Sequence, residues 1–599
     1  MSTALLAGPA HRAPSRAPVI RSRERRPGRE RAALLGLLVL AAALDLVGIG
    51  GSGWANTYYA AAAQAGATSW HALLYGASDA PASITVDKPP ASIWLMALSV
   101  RLLGMTPVAI VLPQALLGVA TVALVHATVR RLATSPAALL AGLITALTPI
   151  ATLMFRYDNP DALLTALGAL AAYAAVRAIQ GGGLRWVLLV GAAFGIGFLT
   201  KQLPAFLTLP GLALAYLVAG PSGLLRRIRD LLLAGLALLV SAGWWVALVE
   251  LVPASSRPYV GGSTSNSFLQ LTLGYNGLGR LLGGSGNGAG RSSDPLRVLG
   301  DASGQGVAWL LPTALVLGAA VIVLRRGRPR TDAVRAAAIA SLLGIILPGV
   351  AFGMMSGIYH SYYCVIMVPP IATATALGVA ELAQRQGRPA ARIALALAVL
   401  LTAGWTVALE LQGPAALRPL ALLVGAAGIL GAALLLAPPR ARRVRTVAAA
   451  LALASALAAP TAVSLATAAV PHAGSGPIVA RPTRDLVHAD ARIVQLMQDS
   501  AASDGSAHSP TTHWSAAAQG SRVAASYQLA SGLPVMPIGG YTRTDPSPTL
   551  PEFQKWVREG RVHWYIGDQG EIGSWVAAHY PGQVVDGTPV YDLSAASTA

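Results

Sequence analysis

The sequence predicts an all-α polytopic membrane protein of about thirteen spans, followed by a small α/β domain outside the bilayer. Three observations carry that expectation. Of 599 residues, 54% are hydrophobic and only 12% charged, too apolar a balance for an ordinary soluble domain. The apolar residues form runs of about 18 to 24, each long enough to cross a hydrocarbon core of about 30 Å. The last 130 or so residues lose those runs and alternate on a shorter period. The net charge of +19 does not mark a nucleic-acid binder, because the basic residues fall in short clusters between apolar runs and not on one surface. A single cysteine, Cys364, excludes an intramolecular disulfide and a thiolate zinc site.

Taken in order, residues 1–31 form a basic cytoplasmic tail, and the apolar stretch 32–50 reads as an uncleaved anchor. A signal peptide fits less well, because the basic region is too long and the hydrophobic segment spans. Further runs begin near Thr106, Pro136, Asp161, Arg185, Pro204, Leu231, Gly306, Ala336, Ser361, Ile393, Leu417 and Val444, giving a membrane domain over 32–470. Arginine clusters at 130–131, 177–185, 226–229, 325–335, 385–392 and 440–445 occupy every second connection. Positive charge stays preferentially in the cytoplasm, so a cytoplasmic N-terminus puts all of them inside. The outward connections are then the first loop 51–92, 156–160, 201–203, the loop 251–305, 357–360, a short turn near Pro414, and everything from 471 to 599. Within 251–305, "GGSGNGAG" lacks the lysine and hydroxyl of a phosphate-binding loop and reads as a flexible connection.

In the C-terminal domain, 471–599, "PVMPIGGY" and "RVHWYIG" are strand-like. Between them Thr549 and Glu552 fit a capping box that opens the amphipathic helix "EFQKWVREG". No nucleotide fingerprint or catalytic cluster stands out there, which points to a binding or docking role.

Lysine is scarce: Lys88, Lys201 and Lys555 are the only three among 44 basic residues. Lys88 follows Asp87 in "VDKPP". The next proline disfavours a helical conformation at Lys88, and side chains alternate along an extended segment, so the two charges are expected to point apart toward separate partners. The following run, "ASIWLMALSVRLLG", suits an interfacial helix. In "RYDNPDALL", Pro160 and Asn159 suit a helix start, which places Asp161 in the first turn. Dipole stabilisation of about 0.3–1 kcal/mol is the bland account of an acid there. Lys201 ends a span on the side where positive charge is depleted, so it either snorkels to headgroups or serves an anionic ligand. His360, Tyr362 and Tyr363 begin a span at the same level, where an aromatic belt is the alternative to a site. Asp45 lies within the first apolar run and is given no functional role.

These stretches, with "GWANTYYAAAAQA", "GFLTKQLPAF", "SAGWWVALVEL", "SSRPYVGGSTSNS", "GYNGLGR", "HSYY" and "GLPVMPIGGY", occur in an order that resembles the GT-C membrane glycosyltransferases. That family includes protein O-mannosyltransferases and lipid A aminoarabinose transferases, and the chain is most similar to its bacterial members of the YkcA/YkcB type. The resemblance implies a GT-C fold in a bacterial plasma membrane and a hexosyl- or pentosyltransferase. Its donor would be a polyprenyl-phosphate-linked sugar, mannose by family habit, and its acceptor an envelope lipid, glycan or protein. Relatives place a catalytic carboxylate in the first outer loop where this sequence has Asn56, which is no base. Asp87, Asp161 and Asp158 are therefore the candidate bases. Lys88, Lys201 and Arg156 are candidates for the donor phosphate, and Asn56, Tyr58, Tyr59, His360, Tyr362 and Tyr363 for substrate contacts. No cofactor is assigned; a divalent metal suits the chemistry, though no ligand cluster demands one. The competing classes are a transporter or flippase of lipid-linked sugars, which would bind near the midplane, and a non-catalytic scaffold that binds cell-wall material.

Overall fold

The computed structural model describes residues 27–283, 293–413, 415–437, 442–485, 487–503 and 511–595. The tail before residue 27, most of "GGSGNGAG", Pro414 and Arg440 lie outside the described residues. Among the described residues, eleven helices are long and apolar enough to cross a membrane, and a broken pair, Ser135–Leu147 with Pro149–Phe155, adds a twelfth span if counted as one. The pair bends by 64°, where Pro149 follows Thr148 and bars a continuous helix.

The expected thirteenth span, from Pro204, falls short. Gln202 takes a left-handed conformation (φ 55°), and the apolar run after it splits into Leu203–Leu207 and Leu209–Ala219. Even continuous, a helix of that length at about 1.5 Å per residue would not cross about 30 Å.

The helix connections sort themselves onto two ends. At one, Arg130 pairs with Glu30 at 3.0 Å, Arg131 bonds Gln180 at 2.7 Å, and Arg330 donates to the carbonyls of Val218 and Gly220 at 2.6 and 2.8 Å. Arg325 pairs there with Asp332 and Glu381 at 2.7 and 2.9 Å. The other end gathers the remaining connections. Asn56 meets Asp158, Gln202 meets Thr272, Arg280 meets Ile358, and Tyr157 bonds the carbonyl of Gly474.

At that second end the first loop folds into Thr57–Thr68, capped by Asn56, Trp70–Tyr75, capped by Ser69, and Ala91–Leu103. The last of these is the helix expected after the two prolines. Arg101 lies 3.7 Å from the ring centre of Trp70 and donates to the Gly66 carbonyl, tying the helix back onto the loop.

The C-terminal unit is a five-stranded mixed sheet: β1 (Trp514–Gln519), β2 (Val535–Ile538), β3 (Val562–Ile566), β4 (Gly582–Val585) and β5 (Thr588–Asp592), in the order β2-β1-β3-β5-β4. β1 is parallel to β2 and β3, while β5 runs antiparallel to β3 and β4. Phe553 and Val576 pack on one face, Ile493 and Tyr527 on the other. The Thr549–Glu552 capping box forms and opens Leu550–Arg558. Helix Ser521–Ser531 packs against Thr57–Thr68 and seats the unit on the first loop.

Candidate active site

The first loop is laid beside the segment from Tyr259. Thr85 N–H donates to the Tyr259 carbonyl at 2.8 Å, and Gly261 N–H to Thr85 Oγ1 at 3.0 Å. Only glycine fits at 261, because a Cβ there would lie 2.2 Å from the Thr85 carbonyl oxygen. This alignment delivers Asp87 and Lys88 to Asn276. Lys88 Nζ donates to Asn276 Oδ1 at 2.8 Å, and Asn276 Nδ2 donates to the Asp87 carbonyl at 2.7 Å.

Lys88 also pairs with Asp87 Oδ2 at 2.8 Å, so the expectation that the two charges point apart is wrong. The segment is no regular strand, and Asn276 brackets both residues while the long lysine stem turns back on its neighbour. Lys88 thus holds the Asp87 carboxylate through Oδ2 and not through Oδ1. The Asp87 N–H donates to the Tyr58 hydroxyl at 2.9 Å. Burial pulls Lys88 down to about 8; Asp87 resists that shift, and Arg280 and Lys201 add to it.

A second pair is closed. Asp161 opens its helix, with its N–H capped by Asn159 Oδ1 at 2.9 Å, and Lys201 ends another. Both Asp161 oxygens lie 2.6 Å from Lys201 Nζ. Lys201 is 5% exposed, and its ammonium sits 3.8 Å from the ring centre of Tyr363 and 5.4 Å from that of Tyr362. It is therefore held inside the protein and does not snorkel.

Asp158 is wholly buried. Its Oδ1 accepts from Asn56 N–H at 2.8 Å, while Oδ2 has no partner among the described residues. Burial pushes this carboxyl well above the usual range. Tyr59 packs on Tyr58, ring centres 5.4 Å apart. His360 stacks on Tyr362 at 5.0 Å, and burial, with Arg280, Lys201 and Lys88 beside it, presses its imidazole down to about 3. His360 is thus neutral at physiological pH. Arg156 stands apart from the two lysines: it donates to the carbonyls of Leu44 at 2.7 Å and Ala468 at 3.2 Å, tying the first span to the last, with the Asp45 charge nearby.

Sequence reasoning missed Arg280. It lies over Tyr275 at 4.7 Å and donates to the Ile358 carbonyl at 3.3 Å, and its charge bears on Lys88 and His360. The signal was in "GYNGLGR", an arginine in a connection expected on the side where positive charge is depleted, which is the argument applied to Lys201, although Arg257, Arg291 and Arg297 share that connection. Asn276 of the same stretch was missed as well. So were Tyr541 and Asp545, in a domain read as docking.

Two buried cations, Lys201 and Arg280, the partly buried Lys88, two paired carboxylates and a wall of tyrosines thus share one end of the bundle. Cations so placed can hold a phosphate and stabilise it as it gains charge, and a carboxylate can take a proton. Among the described residues no three His, Cys, Asp or Glu side chains gather in a metal-binding group.

Residues 87–246 match the family described as dolichyl-phosphate-mannose-protein mannosyltransferase, and residues 506–579 the one described as "Putative mannosyltransferase YkcB-like, C-terminal". Two Bacillus subtilis (strain 168) proteins align with 91% of the chain. "Putative mannosyltransferase YkcB" is 27% identical over 90% of its own length, and "Putative mannosyltransferase YycA" 26% over 93%. Among solved structures, apo ArnT from Cupriavidus metallidurans superposes with a TM-score of 0.51 at 18% identity, covering 94% of this chain and 98% of ArnT. ArnT bound to undecaprenyl phosphate gives 0.50 at 15% identity, covering 95% and 98%. Likeness at that identity shows a shared fold.

Proposed function

We propose that the chain is a membrane glycosyltransferase of the GT-C type, and that it moves a sugar from a polyprenyl-phosphate donor to an acceptor hydroxyl at the outer face of a bacterial plasma membrane. Mannose is the sugar named for its relatives, and ArnT is a structural neighbour that holds undecaprenyl phosphate. The observation that carries the reading is the grouping of Lys88, Lys201 and Arg280 around tyrosine rings, at the end of the bundle opposite the arginine clusters. Cytoplasmic retention of those clusters would face the site outward, with the C-terminal domain outside as well.

The donor phosphate would sit against Lys88 and Arg280, with Lys201 behind them. As the acceptor oxygen attacks the anomeric carbon, a new C–O bond forms and the bond to the phosphate oxygen breaks. The phosphate leaves with the electron pair, stabilised by the fixed cations. The acceptor proton passes to Asp87 through Oδ1, the oxygen that Lys88 does not hold; a base so placed contributes about 10²–10⁴-fold. Asp161 holds Lys201 in position, and Asp158 fixes the turn at Asn56.

The test is transfer of radiolabel by the full chain in lipid vesicles, from polyprenyl-phosphate mannose and from polyprenyl-phosphate glucose, to an envelope extract. Label is expected to move from the mannosyl donor and to stop moving in Asp87→Asn. Consumption of neither donor by the wild type would overturn the reading.

A further inference from the structure

We infer that the C-terminal domain completes the transfer site through residues 539–548, with Tyr541 and Asp545 as positioning residues for Asp87 and Lys88. This rests on the donor site proposed above. Two contacts reach from the domain to the immediate surroundings of Asp87. Asp545, itself buried, accepts from Gly262 N–H at 2.8 Å through Oδ2. Gly262 (φ +78°) lies directly against the site: a Cβ there would stand 3.3 Å from Asp87 Cβ and 3.6 Å from Tyr275 Cδ1. The Tyr541 ring packs on Tyr58 at 4.9 Å, and the Tyr58 hydroxyl accepts from Asp87 N–H at 2.9 Å. One contact therefore braces Asp87 through Gly262 and the other through Tyr58.

The loop that carries these residues is itself pinned. Asp545 N–H donates to the Gly539 carbonyl at 3.1 Å and Gly539 N–H to the Ser547 carbonyl at 2.9 Å. Gly540 (φ +66°) admits no side chain, since a Cβ would fall 2.0 Å from Asp545 Oδ2.

Docking alone does not account for this arrangement. The domain is already seated by Gln528, which donates to the carbonyls of Ala61 and Ser78 at 3.0 and 3.1 Å, and by Trp514, which donates to Asp79 Oδ1 at 2.8 Å. A carboxylate set near Asp87 is a poor choice for adhesion. Burial, with the Asp87 charge adding, raises Asp545 to about 6. An acid kept there against that cost serves the geometry around Asp87.

The experiment titrates undecaprenyl phosphate into the full chain in nanodiscs and follows affinity and melting temperature together. Asp545→Ala and Tyr541→Ala should each weaken binding by about 10-fold, or about 1.4 kcal/mol, without lowering the melting temperature. Asp545→Asn, which keeps an acceptor oxygen for Gly262 N–H, should bind within about 2-fold of wild type. Wild-type affinity in both alanine variants, with binding lost in Lys88→Ala, would overturn this inference and leave the donor site standing. Wild-type affinity in Lys88→Ala would remove the donor site and the inference with it. A loss in Asp545→Ala that Asp545→Asn does not restore, or that comes with a lower melting temperature, would reduce the loop to a structural brace and also overturn it.

Discussion

The two ends of the helix bundle hold positive charge differently. At the arginine end the pairs run from Arg130–Glu30, with side chains 30% and 39% accessible, to Arg325–Glu381 at 17% and 4%, and Arg330 and Arg392 rest on backbone carbonyls. At the site end the lysines are buried and matched to aspartates, Lys88 at 9% and Lys201 at 6% side-chain exposure. Exposed pairs contribute about 0–1 kcal/mol, whereas a buried charge must be compensated or it destabilises the fold. The arginine end satisfies a topological rule, while the site end holds charge where it costs most and so where it can act on a ligand.

The sharpest test of that contrast is Asp87→Asn. It keeps volume and an acceptor for Lys88 but removes the base, so turnover should fall by about 10²-fold or more with donor binding retained. Steady-state and single-turnover kinetics would separate the two, and undiminished turnover would return the proton to Asp161 or Asp158.

Next in size is Asp161→Asn, which leaves Lys201 buried without its counter-charge. A loss of about 3–5 kcal/mol is expected, read as a lower unfolding midpoint. The double variant Asp161→Asn/Lys201→Met should recover much of it without recovering activity. If the single variant were as stable as wild type, the closed pair would not be the lock described above.

A smaller effect is expected from pH. The ammonium of Lys88, brought down to about 8, is lost as pH rises through that value, so donor affinity should fall above about pH 8. Stability moves the other way. An unfolded lysine keeps its proton to about 10.4, so between about 8 and 10.4 the unfolded chain holds more protons and the contribution of Lys88 to stability rises with pH. Opposite slopes of binding and melting temperature would mark Lys88, and parallel slopes would not.

The smallest change is predicted at the other end. Arg130→Ala should cost less than about 0.5 kcal/mol and leave transfer rates as they are, and a larger loss of activity would break the comparison.

What the sequence made legible was local or periodic. The Thr549–Glu552 capping box and the helix after Pro90 are written within four to thirteen residues, and both form. Apolar length placed most spans, yet it could not distinguish the 203–219 run from a true crossing, because the break at Gln202 is a backbone conformation and not a loss of hydrophobicity. The pairing of Asp87 with Lys88 was misjudged because it depends on Asn276, 188 residues from Lys88. Arg280, Tyr541 and Asp545 went unassigned for the same reason: each gains its meaning from a contact made across the chain, which no local period reports.

The hydrogen bond from Trp514 to Asp79 spans 435 positions, and those from Gln528 to Ala61 and Ser78 span 467 and 450. During synthesis the first loop is made early and its partners come last. Asp79, wholly buried in the finished protein, has no indole to receive until nearly the whole chain has left the ribosome. The loop that bears Asp87 and Lys88 thus waits through the insertion of every later span before its surroundings are complete, and a nascent chain stopped short of Asp545 carries the lysines without the assembled centre around them.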